Sequence, residues 1–280
     1  MVKEKNESEL VFEECLSHHD LTDFVYEPPI PGTHSKPDYR VSLGGMHVYF
    51  DVKEFEPDPS DFKLGSGAVD PYGPIRWKIH DVWKQFQGCD GHPCSLVLYN
   101  SKKPHVYLWS DIVRGAMFGD LGIQIPFNPT QGLRDAEARD VFTKGGMMIR
   151  YEEGRATKPR NLSTSAVIAL ERLGVGDRRF SVEIRRIKKE GKNLSRTECF
   201  EMFEKAQGTE KDYALQELRV AVCENPGART PLRGEMFHGP YDERFGLANG
   251  YITRLFVGDG LRELEDLEAK FPEPGLEEFL

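Results

Sequence analysis

The sequence predicts an α/β (α+β) protein built on a central mixed β-sheet flanked by helices, with an additional α+β region towards the C-terminus. Three observations predict it. Two β-rich runs, 39–43 and 46–53, are separated only by Gly44-Gly45, a strong signal for a tight hairpin. Residues 75–87 carry Ile75, Ile79, Val82 and Phe86 at helical spacing. The apolar run Ser95-Leu96-Val97-Leu98-Tyr99 then reads as a buried strand.

The remaining elements follow in order. Residues 8–18 form an amphipathic helix with Val11, Phe12, Cys15 and Leu16 on one side and Ser8 as its N-cap. Residues 24–26 serve as an extra strand, whereas 55–70 is too rich in Pro, Gly and Asp for one. Pro74 opens the helix 75–87. A short strand at 106–108, a helix at 111–118 and a loop at 119–131, broken by Pro126 and Pro129, come next. In the second half, 163–173 reads as a helix ending at Gly174, 180–187, 218–223 and 251–257 as strands, and 197–206 as a helix. Segment 224–250 is dense in Gly, Pro and Asn and reads as mostly loop. The expected division places a core at 1–120 and the additional region at 121–280, packed on the core as one domain or standing beside it.

Composition narrows the class. With 280 residues, 39% hydrophobic and 30% charged, the chain is long enough for a full core and is neither disordered nor membranous in make-up. No stretch reaches the roughly 18 apolar residues of a membrane helix. MVKEKNESEL has no apolar signal region, and the five cysteines are an odd number without a disulfide pattern. A reducing, cytoplasmic setting is expected. The net charge of −9 argues against nucleic-acid binding by bulk charge, though not against a local basic groove. The densest basic run is 178–196, with Arg178, Arg179, Arg185, Arg186, Lys188, Lys189, Lys192 and Arg196 against Glu183 and Glu190.

Chemistry concentrates around the hairpin. Lys36-Pro37-Asp38 precedes it, and Asp51-Val52-Lys53 closes its second strand. Asp51 and Lys53 are two apart, so both point to one face of a strand. Folding about Gly44-Gly45 brings Asp51 back to the Asp38 end. Two carboxylates at one place repel unless a cation lies between them, and oxygen donors with open water positions suit Mg²⁺ or Mn²⁺. A nearby lysine can orient a water. These parts suit hydrolysis of a phosphodiester.

The run Pro37-Asp38, twelve residues, Asp51-Val52-Lys53 resembles the PD-(D/E)XK nuclease superfamily, the restriction-endonuclease-like fold. The resemblance covers about residues 8–100. It implies a core of helix, three-stranded meander, helix and strand, whose third strand is not found between Lys53 and Pro74. It implies Asp38, Asp51 and the Val52 carbonyl as metal ligands and Lys53 acting on the attacking water. A first-helix glutamate often joins them. Glu9 lies about 90° from the centre of the apolar face, and Glu13 and Glu14 about 130°, which ranks Glu9 first and Glu13 second. Lys78 and Gln85, with Arg76 in reserve, are candidates for the scissile phosphate, and Arg185, Arg186, Lys188 and Lys189 for further phosphate contacts. The resemblance implies a Mg²⁺- or Mn²⁺-dependent endonuclease acting on DNA before RNA, with a homodimer as a further expectation.

Other readings stand beside these. The same core could bind nucleic acid without cleaving it, or hydrolyse small phosphate esters. The basic run could be a solvated strand face. Cys89, His92 and Cys94 have unusual spacing for zinc and read as ordinary loop residues. His18-His19 suit a helix C-terminus, and His34 is a loop histidine. Gly174-Val175-Gly176 makes no phosphate-cradling loop, and no Gly-x-Ser-x-Gly or His-Glu-x-x-His motif occurs.

Overall fold

A computed structural model describes residues 4–30, 36–58, 70–124, 139–142, 146–152, 155–191, 195, 197–198, 201–202, 216–248 and 251–272. His34 lies outside them, as do Lys192, Arg196 and most of the helix expected at 197–206, whose described residues are helical. Helix α1, Glu7–His18, starts one residue before the expected helix. Its cap is Asn6 rather than Ser8: Asn6 Oδ1 accepts the Glu9 N–H at 2.9 Å, and Glu9 Oε2 accepts the Asn6 N–H at 2.7 Å. This reciprocal pair satisfies two donors that a helix start leaves open.

Strand β1, Phe24–Tyr26, pairs antiparallel with β2, Tyr39–Leu43, which pairs antiparallel with β3, Met46–Glu54. Strand β1 is the extra strand expected at 24–26, and most of the segment between Lys53 and Pro74, residues 59–69, lies outside the described residues. Gly44 and Gly45 turn the hairpin with φ of 56° and 79°, values that side chains resist. Helix α2, Gly73–Val82, stops short of the expected 87, so Gln85 falls in the turn that follows. The chain then enters β4, Cys94–Tyr99, which runs parallel to β3. Helix α3, Ser110–Phe118, follows as expected. Residues 106–108 are extended without a ladder, while the expected loop contains β5, Leu121–Gln124, paired with β6, Arg139–Phe142. Strands β7, Ile149–Glu152, and β8, Arg155–Pro159, form a second small antiparallel pair.

Two expectations are corrected. The helix at 163–173 is strand β9, Ala166–Gly174, lying parallel to β4. Ala166 to Leu170 are all buried, as in a strand covered on both faces. The strand at 180–187 is part of helix α4, Val175–Lys189, which buries Val175 and Val182 seven residues, two helical turns, apart. Strands β10, Gln216–Glu224, β11, Glu243–Ala248, and β12, Tyr251–Val257, complete an eight-stranded mixed sheet in the order β1-β2-β3-β4-β9-β10-β11-β12. Strands from both halves of the sequence thus share one sheet. The chain divides into two compact units, one of Met1–Glu171, Val220–His238 and Glu243–Phe256, the other of Arg172–Arg219, Gly239–Asp242 and Val257–Leu280. In the second unit α4 packs with helix α5, Asp259–Lys270, through Leu173, Val175, Leu261 and Leu264. No described helix is long and apolar enough to cross a membrane.

Strand alternation gives the sheet two distinct faces. Phe12 of α1 meets Tyr39 and Phe50, each at 5.2 Å between ring centroids, so even positions of β3 face α1. Tyr49 packs with Ile75, Ile79, Leu96 and Leu98 on the opposite face, against α2. Phe237, in the Gly/Pro-rich stretch after β10, packs on the α1 face of the sheet. Phe237 reaches Phe50 and His19, and buried Arg244 ties the segment down through Glu224 at 2.6 Å and the carbonyls of Met236 and Arg233. Phe50→Ala should cost about 3–5 kcal/mol, and urea unfolding checks it. A loss below about 1 kcal/mol would mean that this aromatic cluster does not hold the sheet.

Candidate active site

The hairpin register sets the site. Tyr39 pairs with Phe50, and Asp38 precedes the one as Asp51 follows the other. Asp38 Oδ2 accepts the Val52 backbone N–H at 2.7 Å, which draws its carboxylate onto β3. The Glu27 N–H, just past β1, donates to the Asp38 carbonyl at 2.7 Å and fixes that residue from the other side. Asp51 and Lys53 share the face towards α2. Lys53 Nζ stands 2.7 Å from Asp51 Oδ2, with the lysine side chain 27% exposed and the aspartate 1%. Neither Asp51 oxygen receives a well-directed hydrogen bond among the described residues.

Burial therefore dominates Asp51. Removal from water raises its pKa, Lys53 pulls it down, the Asp38 carboxylate pushes it up again, and the net of the three is a rise from 3.8 to about 7. Lys78, one helix away, is half-buried, and its pKa is lowered first by burial and then by Lys53, while Asp51 raises it. It thus lies within electrostatic reach of both. The buried Asp51 carboxylate, with Lys53 on one oxygen, and the Asp38 carboxylate beside it offer oxygen donors only, and the resemblance would add the Val52 carbonyl. That set fits Mg²⁺ or Mn²⁺, which keep several waters and take one or two carboxylates. No group of three or more His, Cys, Asp or Glu side chains gathers among the described residues, so waters or substrate would complete the shell.

The other candidates lie elsewhere. Glu9 is engaged at the α1 start by the Asn6 N–H and by the Tyr26 hydroxyl at 3.0 Å. Glu13 accepts the Tyr39 hydroxyl at 3.0 Å and pairs with Lys5. Tyr39 faces α1, so these two contacts lie on the side of the sheet opposite Asp51 and Lys53. Gln85 is partly buried in the turn beyond α2, and Arg76 binds Asp120 at 3.2 Å. In the second unit Arg186 pairs with Glu183 and Glu190 along α4, and Arg178 pairs with Glu268 of α5, which neutralises part of the basic run. Arg185, Lys188 and Lys189 lie on the same helix, Lys189 over the Phe271 ring. Sequence reasoning missed the tyrosines that hold Glu9 and Glu13 and the Lys102–Glu54 pair, 2.9 Å apart at the end of β3. Partners 17 to 48 residues apart carry no local signal.

Comparison with known protein families, curated proteins and solved structures finds no match for this chain.

The raised pKa of Asp51 has a sign. Its folded value exceeds its unfolded value, so the folded protein holds an extra proton between the two. Without metal, stability is greatest below the unfolded value and falls as pH rises through about 7. Asp51→Asn, melted in chelator, should match the parent near pH 4 and gain an increasing advantage in Tm towards pH 8. A difference that does not change with pH would show that Asp51 is not the group responsible.

Proposed function

We propose that the protein is a divalent-metal-dependent nuclease of the PD-(D/E)XK kind, hydrolysing phosphodiester bonds in DNA as an endonuclease. The observation that carries the reading is the buried Asp51 carboxylate held between Asp38 and Lys53. A carboxylate hidden from water is costly unless a cation or ammonium meets it, and here Lys53 meets it on one side while the Asp38 carboxylate adds to the cost. The order of elements lends support: α1, an antiparallel meander β1-β2-β3, helix α2 and a parallel β4 match the order that the resemblance implies.

In this reading Asp38, Asp51 and the Val52 carbonyl hold Mg²⁺ or Mn²⁺, which when bound polarises the phosphoryl oxygen and acidifies water. Lys53 sits on the same strand face as Asp51, with its ammonium part-exposed, and orients the attacking water. Lys78, half-buried on α2, adds positive charge where the phosphoryl group gains negative charge. Its lowered pKa keeps a larger neutral fraction than a surface lysine has, so its contribution is strongest below its own pKa. The Asp38 hydrogen bond to the Val52 N–H keeps the two acidic groups together before substrate arrives.

Asp38→Ala and Lys53→Ala should each lower Mg²⁺-dependent plasmid cleavage by about a hundredfold or more, in protein that circular dichroism shows to be still folded. Full activity in both variants ends the assignment. Mn²⁺ should raise the Tm of the parent, and Asp51→Asn should abolish that rise. A parent that neither cleaves nor responds to metal would be a non-catalytic nucleic-acid-binding protein on the same core.

A further inference from the structure

Two exposed aromatic rings stand beyond the carboxyl end of β4. Tyr107 and Trp109 are stacked at 4.7 Å between centroids and 27° between planes. They are 47% and 50% exposed, although Val106 and Leu108 beside them are buried. The extended segment therefore turns aliphatic side chains inwards and aromatic ones outwards. It is pinned at both ends. Asn100 Nδ2 donates to the carbonyls of Lys103 at 2.9 Å and Val106 at 2.7 Å, and its Oδ1 accepts the Lys103 N–H at 3.0 Å. At the other end the Trp109 carbonyl accepts the Val113 N–H at 3.0 Å, the first turn of α3. The backbone that carries the rings is held before any ligand arrives, which lowers the entropic cost of binding to them.

Their place in the fold gives them meaning. Lys53 pairs with Leu98 and Glu54 with Tyr99, so the segment leaves the sheet at the end of β3 that carries the candidate site. Lys102 meets Glu54 there at 2.9 Å, and Lys103 Nζ donates to the Glu56 carbonyl at 3.4 Å. Lys102 and Lys103 belong to the same loop as the rings, Lys102 paired with Glu54, and Lys53 and Lys78 lie at the candidate site on that end of the sheet, in a chain whose net charge is −9. Lysines track phosphates, and flat exposed rings take the faces of bases. The bases of a continuous duplex are stacked on each other and offer no free face except at an end.

We propose that Tyr107 and Trp109 form a base-stacking platform for a single-stranded stretch of nucleic acid, which makes single strands or unpaired segments, rather than continuous duplex, the substrate class. The proposal rests on the nuclease reading of the Asp38, Asp51 and Lys53 site. Stacking on rings is tolerant of sequence, because every base has a π-face.

Binding of a labelled oligothymidylate and of a matched blunt duplex, followed by fluorescence anisotropy in chelator with the full chain, tests it. The single strand should bind about tenfold tighter or more. Tyr107→Ala with Trp109→Ala should weaken single-strand binding roughly tenfold or more, while phenylalanine at both positions keeps most of it. Leu10→Ala, an exposed residue on α1, should change nothing. Quenching of tryptophan fluorescence by oligothymidylate in a Trp77→Phe, Trp83→Phe chain, where Trp109 alone reports, needs no removal of the platform and guards against a misfolded alanine variant. Unchanged binding in a folded alanine variant, an equal loss for both nucleic acids, or no quenching overturns the platform. Failure to bind either nucleic acid does so too and leaves the rings to a protein partner. Since binding is read without metal, cleavage by the parent with no ring dependence removes the platform alone, and ring-dependent binding without any cleavage removes the nuclease reading alone.

Discussion

The antiparallel ladder between β2 and β3 holds two carboxylates at one end of a hairpin, and the rest of the site depends on its register. Tyr39 opposite Phe50 sends both rings to Phe12 of α1. A slip of one residue would turn Phe50 to the α2 face and drive Asp51 into the aromatic core, exchanging a buried ring for a buried charge. The aromatic cluster therefore does more than stabilise the fold: it specifies which acid faces which side. The glycine turn makes the same demand from the other end of the hairpin, since both of its central residues have positive φ.

A buried carboxylate beside a second carboxylate is a local loss that the surrounding structure sustains. β3 is covered by α1 on one face and α2 on the other and paired on both edges, so Asp51 cannot turn away to water without breaking the ladder. What is left is electrostatics: Lys53 opposes the penalty, Asp38 increases it, and a hard cation would offset both. Groups held in costly surroundings by an over-determined fold are typical of functional sites. The same sheet end carries the pinned loop with its exposed rings, so the two strands β3 and β4 position both the acidic pair and the rings.

Most of the first half was legible because its signals are short in range. The hairpin, α1, β4 and α3 follow from period, turn residues and apolar runs within about a dozen positions. The second half was misread where two periods compete. Ala166-Val167-Ile168-Ala169-Leu170 suits a buried helix or a strand buried on both faces, and only pairing with β4 decides. Phe180, Val182 and Ile184 alternate like a strand, yet Glu183, Arg186 and Glu190 are spaced three and four apart and form pairs that only a helix allows.

Spacing alone placed Asp38, Asp51 and Lys53 at one end of a hairpin, because a two-residue turn leaves the chain no choice of partner. Tertiary structure decided the rest. It paired Phe24–Tyr26 with β2, carried strands from the second half of the sequence into the same sheet, laid Phe237 on the α1 face, and gave Glu9 and Glu13 to tyrosines. Those choices join residues far apart in the chain, and they are settled by which apolar faces can be buried together. A local pattern records that a face is apolar but not which other face will cover it.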